Sequence, residues 1–294
     1  MEFTNLQYVL GAGIAIGVGF LTGIFGVGGG FLLTPALMIF VGIPGEIAVG
    51  TGLATILVSS SVGLLKRRGT ATVDSKLGVM LGMGSIAGVL IGLFIIKHLK
   101  TMDMVSVLGK QQNLLQLTLL CLFLVLLILI AVFISYDVLK LSKGRCQKQF
   151  GFFSRISIRP FIEFESLDQP SISLVPIELL GLLVGILTGL LGIGGGIVVM
   201  PALIYLVGQR AVKAAGTSLL LVWISSLFGA GGHFIEGNIH WQLLVIMATG
   251  SSLGVWIGTH VGLSLDECKL RLYFMMVVIA AAFTVGFKLL QLLI

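Results

Sequence analysis

The chain has 294 residues, of which 57% are hydrophobic and only 10% charged, with a mean hydropathy of +1.13. That is more apolar surface than a soluble fold can bury, so composition excludes a soluble globular protein and specifies an all-α polytopic membrane protein. The formal charge of +6 is carried by loops and helix ends, which suits the lipid bilayer as partner and gives no reason to expect nucleic acid.

The first apolar run covers about residues 7 to 25 and follows a start, Met1 to Gln7, that carries no Lys or Arg. It therefore lacks the basic region of a cleaved signal peptide and reads as the lead-in to a membrane element. A glycine stretch follows, then a short apolar run, Phe31 to Val41, too short at about 1.5 Å per residue to cross the hydrocarbon core comfortably. These two elements are expected to form a hairpin or broken pair with the glycines at its tip. The turn Ile43-Pro44-Gly45-Glu46 leads into an element at about 47 to 65, stopped by Lys66, Arg67 and Arg68. Further elements are expected at about 77 to 96 and 113 to 139. A polar connection from about 140 to 176 divides a first repeat, 1 to 139, from a second, 177 to 294. The second half repeats the plan at about 177 to 192, 197 to 207, 213 to 231, 241 to 262 and 271 to 293. Segments this long and continuously apolar pair their backbone as helix, not as barrel strand.

The two halves share one register. Thr22-Gly-Ile-Phe-Gly-Val-Gly-Gly-Gly matches Thr188-Gly-Leu-Leu-Gly-Ile-Gly-Gly-Gly without a gap. In that register Pro35 falls on Pro201, Gly50-Thr51 on Gly216-Thr217, Ser59-Ser60 on Ser225-Ser226, and Gly84-Ser85 on Gly250-Ser251. The chain is an internal duplication. Positive charge orients it. The loop after the third element carries Lys66, Arg67, Arg68 and Lys76, whereas in the second half the basic residues, Arg210 and Lys213, lie one turn earlier. Short cytoplasmic loops gather Lys and Arg, so the halves are expected to face opposite ways as inverted repeats, with the 140 to 176 connection inside. Lys97, Lys100, Lys110 and Lys288 fall outside and violate the rule locally.

Inverted repeats with interrupted helices are a transporter architecture. A glycine run that opens a helix aims several N–H groups and the positive end of a dipole at one spot, which favours an anion. The candidate binding residues are therefore Gly28, Gly29, Gly30 and Phe31 with Gly194, Gly195, Gly196 and Ile197. Hydroxyls of Thr22, Thr51, Thr188, Thr217 and Ser218 are candidate donors around them. The glycines at four-residue spacing, Gly84, Gly88 and Gly92 and the series Gly250 to Gly262, read instead as close helix crossings. No P-loop Lys accompanies the glycine triplets, so nucleotide binding is not indicated. The carboxylates fall in loops or at helix ends, which argues against a cation substrate or a proton relay. Cys121, Cys146 and Cys268 have no partner spacing, so neither a disulfide framework nor a metal site is expected. His233 and His240, with Glu236 between them, are weak metal candidates, and no cofactor is implied. No nucleophile stands beside a base, so the chain is not read as an enzyme.

The paired pattern G-x-x-G-x-G-G-G-x-x-x-x-P-x-L, at Gly23 to Leu37 and again at Gly189 to Leu203, each followed by Gly-Thr (Gly50-Thr51, Gly216-Thr217), resembles the sulfite exporter TauE/SafE family of membrane permeases. The resemblance covers both halves apart from the 140 to 176 connection, which is longer than is usual in the family. It implies transport of small sulfur-containing anions, sulfite or organosulfonates, outward across the cytoplasmic membrane. Homo-oligomerisation is left open. The other reading is a non-transporting sensor or assembly module that docks through the 140 to 176 connection.

Overall fold

The computed structural model describes residues 5–100, 105–107, 110–112, 114–141, 151–156, 158–164, 167 and 171–293. Helices stand where the apolar runs predict them: α1 (Asn5–Phe25), α2 (Gly30–Ala36), α3 (Gly45–Arg67), α4 (Ser75–Lys100), α5 (Leu114–Leu141), α6 (Leu174–Leu191), α7 (Gly196–Ala202), α8 (Ala211–Ile235), α9 (Trp241–Ser264) and α10 (Glu267–Leu293). Among the described residues 8 of these are long and apolar enough to cross a bilayer. The protein is an all-α, multi-pass membrane protein. The rest is slight: a hairpin of β1 (Val105–Val107) with β2 (Lys110–Gln112), and a short pair of β3 (Phe161–Ile162) with β4 (Ile172–Ser173) in the connection between halves.

α2 and α7 do not stop at their α-helical ends. Each runs on as a π-helical turn, Leu37–Val41 and Leu203–Val207, giving two short apolar helices, Gly30–Val41 and Gly196–Val207. Pro35 and Pro201 lie just ahead of these turns. Proline removes an N–H and clashes with the preceding turn, and a local widening of the helix is one way to absorb both. Gly42 and Gly208, left-handed at φ 74° and 86°, end the two helices.

α3 and α8 lie at the centre and cross antiparallel. Gly50, near the start of α3, abuts Asn238 just beyond the end of α8, and Gly216, near the start of α8, abuts Thr72 just beyond the end of α3. Around them α1 packs chiefly along α9, α4 along α6, and α5 against α10. The glycine rows make the first two pairings possible. Gly84, Gly88 and Gly92 sit against backbone carbonyls of Glu178, Leu182 and Ile186, while Gly254, Gly258 and Gly262 sit against those of Ile16, Phe20 and Ile24. Helix backbones approach this closely only where no Cβ intervenes.

The connection between the halves is folded onto the basic end of the bundle where it is described. Gly151 abuts Leu206 and Val207, and Lys76 Nζ donates to the Glu163 carbonyl at 2.8 Å. Residues 142–150 of it lie outside the described residues. At the other end, Lys97, one of the exceptions to the charge rule, pairs with Glu236 at 2.7 Å. One expectation fails: Cys268 is disulfide-bonded, while Cys121 is free. Spacing along the chain does not report which thiols the fold brings within bonding distance.

Candidate functional site

Each glycine stretch leaves its long helix with one ordinary helical bond, Gly26 N–H to the Thr22 carbonyl and Gly192 N–H to that of Thr188, both 2.8 Å. The chain then turns through left-handed conformations, at φ 70°, 76° and 71° for Gly26, Gly28 and Gly29 and 68°, 66° and 78° for Gly192, Gly194 and Gly195. Gly29 and Gly195 stand as N-caps of α2 and α7. In α2 the first N–H groups to find carbonyls are those of Leu32 and Leu33, both on Gly29, and in α7 those of Val198 and Val199 on Gly195. The N–H groups ahead of them are the unpaired donors that every helix start presents.

The two turns touch. A Cβ on Gly30 would lie 2.6 Å from the Gly192 carbonyl oxygen, and one on Gly196 would collide with the carbonyl of Val27. Ile56 of α3 and Val222 of α8, equivalent in the repeat register, wall the meeting point: Val222 faces both Gly28 and Gly194, and Ile56 faces Gly30 and Gly194. Phe31 and Ile197 are buried beside it.

The hydroxyls divide into three sets. Thr22 and Thr188 stand beside Gly29 and Gly195, with their protons on the carbonyls of Val18 and Val184, each at 2.9 Å. Ser218 donates to the Gly26 carbonyl at 2.9 Å. Thr51 and Thr217 hold chain ends instead: Thr51 Oγ1 accepts the His240 N–H at 3.0 Å, and Thr217 Oγ1 accepts the Asp74 N–H and Gln209 Nε2, each at 3.1 Å. Three further hydroxyls reach the turns that sequence reasoning did not select. Thr34 donates to the Gly192 carbonyl at 3.2 Å and Ser225 to that of Gly194 at 3.1 Å. Ser226, fully buried, directs its Oγ toward Gly194 and has no hydrogen-bond partner. Ser225 and Ser226 were visible in the sequence as the counterpart of Ser59-Ser60.

The profile of the sulfite exporter TauE/SafE family matches residues 10–285. The chain belongs to that family. "Probable membrane transporter protein YunE" of Bacillus subtilis is 24% identical over 277 residues, 89% of this chain and 89% of that protein. A "Probable membrane transporter protein" of Xylella fastidiosa strain Temecula1 is 25% identical over 287 residues, 96% and 95% of the two chains. "Probable membrane transporter protein YjnA" of Bacillus subtilis is 30% identical over 253 residues, 83% and 85%. No solved structure matches significantly. The chain is a membrane transporter and not an enzyme.

In this TauE/SafE chain the two central helices end in buried basic residues at equivalent repeat positions. In the register that sets Gly26 on Gly192, Arg67 at the end of α3 falls on His233 near the end of α8. Arg67 is 2% exposed, and its Nη2 donates to the Gly23 carbonyl of α1 at 3.1 Å. His233 is also buried, with Nδ1 3.3 Å from Asn238 Nδ2. His240, the other candidate ligand, caps α9 by accepting the Leu243 N–H at 3.3 Å. The two candidate histidines, one near the end of α8 and one capping α9, thus have structural partners of their own.

Proposed function

We propose that the protein is a secondary transporter of small sulfur-containing anions, such as sulfite or organosulfonates, and that it exports them across the cytoplasmic membrane. The observation that carries this reading is the contact between the two glycine turns, which brings the starts of α2 and α7 together between α3 and α8. Two helix starts opposed at one buried place concentrate unpaired N–H donors and two positive dipole ends, and an anion is the ligand that uses both. Gly28 to Phe31 and Gly194 to Ile197 supply the N–H groups, and Thr22, Thr188 and Ser218 stand close by. Ser226, with its buried hydroxyl uncommitted, adds a donor at the Gly194 side. Thr51 and Thr217 fix the chain ahead of α9 and α4 around that place. The antiparallel crossing of α3 and α8 supports inverted halves, 1–139 and 177–294, that rock about the turns to give alternating access.

The test is flux of labelled sulfite in proteoliposomes of the purified full chain, with sulfate and a short organosulfonate as competitors. Saturable flux that competitors reduce is the expected result, and Ser226→Ala is expected to lower it roughly tenfold, the worth of one lost buried donor. Absence of flux for any of these anions, with and without a pH gradient, would refute the reading. Ser226→Ala is a cleaner probe than a bulky residue at Gly29 or Gly195, because a Cβ there already presses on Thr22 or on Val184.

A further inference from the structure

A cavity of about 800 Å³ lies at the end of α3, walled by Ser61, Leu64, Arg67, Val73, Leu220 and Trp223 among others. It reaches the surface, because Arg68 and Gly69, which also line it, are exposed. Trp223 of α8 closes one wall by donating from Nε1 to Ser61 Oγ at 2.8 Å. Arg67 is the buried cation of this space. Its Nη2 holds the Gly23 carbonyl, three residues before the first glycine turn, but Nε and Nη1 have no partner, and no carboxylate among the described residues pairs with it. A buried charge without a counter-ion is strongly unfavourable, so a fold that keeps one gains from an anion that completes it. Guanidinium N–H groups match the oxygens of a small oxyanion better than any other side chain does.

We propose that Arg67 forms a second anion site, distinct from the glycine turns, which receives a small soluble oxyanion in the cavity at the α3 end and lies on the route to the turns. This rests on the transport reading for the direction of travel, but not for the binding itself. The Gly23 carbonyl fixes one edge of the guanidinium, and Nε and Nη1, buried and without a partner, are the donors that the ligand would complete. Ser61 and Trp223, joined by their hydrogen bond, also line the cavity. Lipid phosphate offers the same oxygens, but the cavity lies between the two central helices, α3 and α8, and the connection that follows α3, and this favours the soluble ion.

The test is the thermal stabilisation of the full chain in detergent, titrated with sulfite, sulfate and, separately, phosphatidylglycerol in mixed micelles. Wild-type protein is expected to show saturable stabilisation by sulfite or sulfate. Arg67→Gln should weaken it by roughly tenfold or more, and Arg67→Lys should fall between. Leu64→Trp, which keeps Arg67 and fills the cavity, should also weaken it and serves if Arg67→Gln does not fold. Wild-type affinity in Arg67→Gln or in Leu64→Trp, no response of wild type to either anion, or a response to phosphatidylglycerol alone would each overturn the proposal. Flux separates it from the transport reading: if Ser226→Ala loses flux while Arg67→Gln keeps the wild-type KM, the Arg67 site falls and transport stands. If wild type binds sulfite through Arg67 but carries no flux, transport falls and the site stands.

Discussion

The glycines of the two turns are not interchangeable with other left-handed glycines of the chain. Gly42 adopts φ 74° but has open space where a Cβ would go, whereas Gly196 has an ordinary φ and meets the Val27 carbonyl. Gly42→Ala should therefore cost only about 1 kcal/mol of backbone strain. Gly196→Ala must push the two turns apart and should cost about 2 to 3 kcal/mol, the scale of overpacking a closed core. Reversible unfolding in mixed micelles compares the two, and an equal loss would mean that the turns are not in tight contact. At this scale the glycine triplets were legible because three in a row inside an apolar segment have no good helical explanation. The places of Ser226 and Thr34 at the turns were not, even though Ser226 stood out as part of a repeated pair, because a hydroxyl in an apolar run gives no sign of whether it bonds its own helix, as Ser60 does with the Leu57 carbonyl, or faces another. Arg67 read as a stop signal at a helix end, and only its burial shows otherwise.

The apolar runs placed every long helix within a few residues, since about 20 apolar residues spanning a bilayer leave the chain few alternatives to helix. The π turns were hidden: proline marks a disturbance, but whether the helix kinks, breaks or widens depends on its neighbours. The small-residue rows were legible as crossings, though their partners were not, since α1 meets α9 and α4 meets α6 only in three dimensions. Their consequence is testable on one element. Gly88 lies against the Leu182 carbonyl, so Gly88→Leu should separate α4 from α6 and lower the yield of folded, monodisperse protein several-fold in size-exclusion chromatography. Gly13→Leu on α1, where a Cβ meets nothing within 4 Å, should leave the yield unchanged. Similar yields for both would refute the role given to the rows.

The packing of the whole molecule is reciprocal. Exchanging the halves turns the α1–α9 contact into the α6–α4 contact, and the support of Asp74 by Thr217 into that of His240 by Thr51. If the halves are also inverted in the membrane, Arg68→Cys after α3 and Glu236→Cys after α8, each in a background with the native cysteines replaced, should react with an impermeant maleimide from opposite faces. Labelling of both from one face would refute the inversion. The Lys97–Glu236 pair at the second face is exposed and worth only about 0.2 to 1 kcal/mol, so its loss in the cysteine variant should leave the fold intact. The charge rule gave the orientation argument its force, and Lys97 broke it because its charge is matched locally rather than counted with its loop.

The two halves differ at the ends of the central helices. A carrier built from two identical halves would be kinetically blind to which side its cargo comes from. Here a buried arginine, Arg67, stands at the end of α3, while its register counterpart near the end of α8 is a buried histidine, His233. On the transport reading, an arginine at one end and a histidine at the other would present different chemistry to the same cargo, and the two directions of flux are expected to differ in KM.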